Sequence, residues 1–504
     1  MRKAVCWKAG RRHPSLAFAV ACGLLLLTVM ACHSWSQENP ASAASAPTLS
    51  TVVASSWSPK DCNFSAEDAA GISRDLDTDI DASTELMETV QHMLVSESFD
   101  QLECLAAHYR TSKEKFSGGV WKLHTFYLAL SKPVLDPQHP TEQDWLDHIA
   151  TLKRWTVSKP NSLTARVALS KTYIGYAWAA RGNGNSDSVT GSGWKLFGER
   201  LDRASDLLNS ASTVAPKDAE WYFTMLQLAT TGQTWDLPKA RAVFEEAYNF
   251  EPKYFYYGRQ FRYYLEPKWA GEEGDSARFS TEIADRIGGD EGDAYYYRLA
   301  VDGICDCEDS PKFDWQRVVR GFKATEKLYG PSLIDMNAIA YLASYNYIDP
   351  IMANEVMPRI GEQWDKNKWE NEKAFQDTRD WAAKAAPVAA KAKAVAAEAD
   401  ANEKTPAGAS YKSSFEKKYK QLVQECVRSE GAPADKFETY TSVSETGSVE
   451  DMKVYWNGQA AICIYSKLKT ARDNHSVLFP KPPHGSYWIK LALDAGEFLT
   501  TASK

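Results

Sequence analysis

Two runs of carboxylates are the chain's most obvious material for acid–base chemistry: Glu272, Glu273 and Asp275, then Asp290, Glu291 and Asp293. Two carboxyls facing each other across a cleft, one kept protonated by burial, would suit hydrolysis of a glycosidic bond. Both runs are flanked by glycines, which reads as solvated loop. The stretch DEGD is also too short for the alternating oxygen ligands of a calcium loop. No G-x-S-x-G, H-E-x-x-H or P-loop occurs, so hydrolase, zinc protease and nucleotide readings lose their usual supports. His92, His108, His124 and His148 stand singly on helical stretches, where a structural or surface role is the simpler reading. The residues therefore designate no catalytic set, cofactor or metal site.

Recognition chemistry is better represented. In YFYYGRQFRYYLEPKWAGEEGDSARF, aromatic rings crowd together with Arg259 and Arg262 between them. Aromatics and arginine dominate binding hot spots, so Tyr254, Tyr256, Tyr257, Arg259, Arg262 and Trp269 are the candidate partner-binding residues, for a peptide or a glycan. The competing reading is that these rings fill gaps between helices.

The cysteines speak to compartment. The first fourteen residues carry five basic residues, Arg2, Lys3, Lys8, Arg11 and Arg12, and no acid, and within residues 1–31 an apolar run from Leu16 to Ala31 follows, the order of an export signal. That run is short for a membrane span of roughly 20 residues. The junction Val29-Met30-Ala31-Cys32 resembles the lipobox of bacterial lipoproteins, which implies that Cys32 carries the lipid and opens the mature chain. Residues 32–60, rich in Ser and Ala, read as a flexible tether. Cys62, Cys104, Cys305, Cys307, Cys426 and Cys463 then remain, an even number suited to disulfides in an oxidising compartment. Domain layout pairs Cys62 with Cys104 and Cys426 with Cys463, leaving Cys305 and Cys307 in one turn. The expected location is the envelope, on the periplasmic side of a membrane.

With 44% apolar and 12% aromatic residues the chain has ample material for a core. Its net charge of −8 becomes −13 once the five basic residues of the leader are set aside, which argues against nucleic acid as a partner. Residues 61–381 read as amphipathic helices with apolar spacings of three and four, broken by Pro and Gly. PKDAEWYFTMLQLATTGQTWDLPKARAVFEEAYNFEP, with Ala240 and Phe244 four apart and a closing Pro252, resembles a tetratricopeptide unit. FSGGVWKLHTFYLALSKP, GWKLFGERLDRASDLL, YYLEPKWAGEEGD and YGPSLIDMNAIAYLA together resemble the bacterial family catalogued as domain of unknown function 4034. That family implies a helical-repeat-like fold and no activity.

Residues 382–410 form an Ala/Lys-rich stretch that reads as a linker helix, with Pro387 at a start or kink. Over 411–504 the period changes: FETYTSVSETGSVEDMKVYW alternates like a hairpin, GQAAICIYSKLKTA reads as a helix and SYWIKLALD as a last strand. This order, with Gly447 and Val449 in the hairpin, resembles the C-terminal domain of TonB-type proteins, which grips extended segments by strand addition. The fold expected is thus mainly α, with tetratricopeptide-like helical pairs and a small C-terminal α/β domain. The function expected is binding or scaffolding in the envelope with protein partners. The alternatives are an enzyme acting on an envelope polymer and an energy-transduction partner.

Overall fold

The computed structural model describes residues 79–133, 140–182, 186–214, 217–231, 236–267, 269–303, 313–430, 436–455 and 459–494. Cys32, Cys62, Cys305, Cys307 and the whole leader and tether lie outside them. The chain divides into two units, Met1–Arg379 and Asp380–Lys504.

The first unit opens with α1 (Asp79–Val95), α2 (Phe99–Ser112) and α3 (Lys122–Leu130). Later helix starts carry side chains that satisfy free backbone N–H groups. α4 (Glu142–Ser158) has a capping box, with Asp144 N–H donating to Thr141 Oγ1 at 3.2 Å and Thr141 N–H donating to Asp144 Oδ2 at 2.7 Å. Ser162 caps α5 (Leu163–Arg181) and Thr190 caps α6 (Gly191–Ala211).

α7 (Ala219–Thr231) packs on α8 (Leu237–Phe250), whose start carries both Asp236 as cap and a proline in the first turn. This is the tetratricopeptide-like pair, and the rings and methyls expected to meet there, among them Trp221, Leu226, Ala240 and Phe244, are buried. α9 (Phe255–Tyr264), α10 (Asp275–Ile287), α11 (Gly289–Gly303), α12 (Trp315–Tyr329), α13 (Leu333–Tyr341) and α14 (Pro350–Ile360) continue the series. α5 with α6, and α11 with α12, are further closely packed pairs.

One expectation is corrected here. Asp290, Glu291 and Asp293 are not on a loop: α11 begins at Gly289, with Asp290 and Glu291 in its first turn and Asp293 following within the helix. Acidic side chains are favourable against the positive end of a helix dipole, so the glycines before them end α10 and do not open a loop.

The second unit contains most of α15 (Glu372–Glu403), α16 (Pro406–Glu430), β1 (Lys436–Val443), β2 (Val449–Tyr455), α17 (Gln459–Asp473) and β3 (Tyr487–Asp494). The sheet order is β2-β1-β3, antiparallel throughout. The period-2 alternation of SYWIKLALD sends Tyr487, Ile489, Leu491 and Leu493 to one face, where Phe415, Tyr419, Val423, Ile464 and Leu468 of α16 and α17 cover them. On the other face Val395 and Ala399 of α15 pack on Tyr440. The Ala-rich stretch thus supplies a small but real apolar stripe, and Asn402 at its end donates to the Trp488 carbonyl at 3.1 Å.

In the hairpin turn Gly447 has φ +95°, and a Cβ there would run into the Phe479 carbonyl oxygen. That close approach lets Leu478 N–H and Phe479 N–H both donate to the Gly447 carbonyl at 3.0 Å. Among the described residues no helix is long and apolar enough to cross a membrane.

Candidate functional site

The tight turn 115–121 sets the site. Phe116 N–H donates to the Val120 carbonyl at 2.8 Å and Lys122 N–H to Glu114 at 3.0 Å, which brings Lys115 opposite Trp121. Gly118 and Gly119 make the reversal with φ of +74° and +87°. Gly118 N–H donates to the Gly330 carbonyl at 3.2 Å, tying the turn to the end of α12. A Cβ on Gly119 would stand 2.6 Å from the Tyr329 ring. Gly119→Ala is therefore expected to cost about 1–3 kcal/mol, from the left-handed φ and the ring's displacement together. The check is the loss of thermal stability alongside a changed tyrosine environment in the near-ultraviolet. An unchanged melting point would contradict it.

Around this turn three helices close a small pocket. Trp121 and Gly119 of the turn, Phe255 at the start of α9, Tyr295 and Arg298 of α11 and Tyr329 at the end of α12 line it, with Lys253 and Glu291 at the same site. Its lining residues leave about 290 Å³ of space between them, part of it open solvent. Segments far apart in the chain meet here, among them those that carry Gly119 and Trp121 and that carry Tyr329.

The charges at the pocket are mostly paired. Lys253 Nζ lies 2.8 Å from Glu291 Oε1, and Tyr329 OH donates to Glu291 Oε2 at 2.5 Å. Burial alone would raise the Glu291 pKa, but those two hydrogen bonds outweigh it and hold the carboxyl below its usual value. Arg298 grips Asp335 with both guanidinium nitrogens, at 2.7 and 2.8 Å. Lys115 is different: its Nζ lies 4.6 Å from the ring centroids of both Trp121 and Tyr329. Burial pushes its ammonium pKa down, Glu291 and Glu251 pull it up, and Lys253 and Lys113 push it further down.

Behind the pocket lies a buried ionic network. Glu220, fully buried, accepts from His124 Nδ1 at 2.5 Å, from Lys171 Nζ at 2.6 Å and from Tyr254 OH. Two residues earlier, Asp218 accepts from Arg110 Nε at 2.7 Å, Tyr127 OH at 2.7 Å and the Glu220 backbone N–H at 2.7 Å. Two carboxylates thus face Arg110 and Lys171. Burial lowers the His124 pKa more than Glu220 raises it, so the ring is neutral and its Nδ1 carries the proton. That ring stacks on Tyr256 at 3.6 Å, joining the network to α9.

This accounts for most of the candidate binding residues. Tyr254, Tyr256, Tyr257 and Arg262 are all at or below 2% exposure, and Arg259 pairs with Asp302 at 2.5 Å with its side chain 13% exposed. Their rings do not line an external groove but fill the core, because α9 is covered by α7, α8, α10 and α11. Trp269 is the exception at 36% exposure. The acids separate likewise: Asp275 pairs with Arg278, Asp290 with Lys327 and Asp293 with Arg317, while Glu291 lines the pocket. Among the described residues no group of three or more His, Cys, Asp or Glu could hold a metal ion.

Cys426 and Cys463 form a disulfide joining α16 to α17. Cys104 is disulfide-bonded and buried in α2. Compared with known proteins, the chain matches no protein-family model, no curated protein and no solved structure.

Lys171, Asp218 and Glu220 are residues that sequence reading passed over. Their signal was a lone cation amid the apolar run of α5, an acid just before α7 and a second acid in its first turn.

Proposed function

We propose that the chain is an exported, lipid-anchored binding and scaffolding protein of the envelope, whose helical unit seats a ligand at the pocket beside the 115–121 turn. The observation that carries this reading is the convergence of sequence-distant segments, 119–121, 253–255, 291–298 and Tyr329, on one aromatic, charge-edged recess. Small concave sites walled by aromatic rings with a few placed polar groups are how proteins seat ligands. The buried network behind supports it by fixing α3, α5, α7 and α9 into a rigid back wall.

For the second unit the reading is protein contact. β3 pairs with β1 on one side and with no strand on the other among the described residues, which supports strand addition by an extended partner segment, as the TonB-like order implies.

The tether is tested by growing cells with a radioactive fatty acid: label is expected on the wild-type chain and lost in Cys32→Ala. Ala294 of α11 also lines the pocket, and binding is tested by capture from envelope extracts with the wild-type chain and with Ala294→Phe, which fills that wall. A species held by the first and lost by the second is expected. Identical capture by both would count against the pocket, and an unlabelled wild type against the tether.

A further inference from the structure

We draw no further inference here: the strongest candidate, the exposed side chains of Tyr345 and Ile348 at and just after the π-helical turn Leu342–Asn346 that precedes α14, carries none, because nothing in the structure shows what covers that surface patch.

Discussion

Glu220→Ala is expected to destabilise the helical unit by about 3–5 kcal/mol, the largest effect of any single substitution considered, because it strands Lys171 in the interior without its partner. The native carboxylate has no exposure, and three side-chain donors converge on it. Replacing Lys171 by Met in the same chain should recover part of the loss, since a buried pair removed together leaves no lone charge. Calorimetry of the variants measures both. A Glu220→Ala chain that melts within a degree or two of wild type would show that the network contributes little.

The same residue fixes a pH dependence. Burial would raise the Glu220 pKa, but Lys171 and His124 more than reverse that and hold it at about 2. In the unfolded chain the group titrates near its ordinary value, so between roughly pH 4.5 and 2 the unfolded state binds more protons and stability falls with pH. His124, its pKa lowered by burial, acts in the same direction from about pH 6.5 downward, because only the unfolded chain readily takes up its proton. Melting temperature should therefore decline steadily from pH 7 to pH 3. A rise on acidification would contradict the assigned charge states.

The second large effect belongs to the C-terminal unit. Cys426 and Cys463, 37 residues apart, staple α16 to α17 on one face of the sheet. Closing a loop of that length restricts the unfolded chain by about 3–4 kcal/mol in the chain-entropy description. A chain carrying Cys426→Ala and Cys463→Ala should lose that much stability in its C-terminal unit, while Glu220→Ala acts on the helical unit. The two units give separate readouts: β-sheet signal in the infrared for one, the bulk of the helical signal for the other. Loss of both signals together in the cysteine variant would show that the units unfold as one.

How much of this was legible in sequence varies by element. The hairpin, α17 and β3 were readable because a period of two and then of 3.6 repeats over enough residues to stand clear, and Gly447 marks the turn. The Cys426–Cys463 pair followed from the layout of that domain. The start of α11 was missed because Gly288 and Gly289 look like loop punctuation, whereas the acids after them are favourable in a helix's first turn.

The aromatic cluster at 254–264 could be read either as surface or as core. Burial settles that only once α7, α8, α10 and α11 surround α9. The pocket was hidden for a related reason: Trp121, Phe255, Tyr295 and Tyr329 come from four places in the chain, and no local pattern records that they meet.

The central claim is that the recess beside the 115–121 turn holds a ligand. Native mass spectrometry of the chain purified gently from its own envelope fraction, wild type beside Ala294→Phe, tests it without knowing the ligand in advance. The account predicts a discrete added mass on the wild type that is missing from the variant, with both chains equally helical by circular dichroism. No added mass on either chain, or the same mass on both, would contradict it.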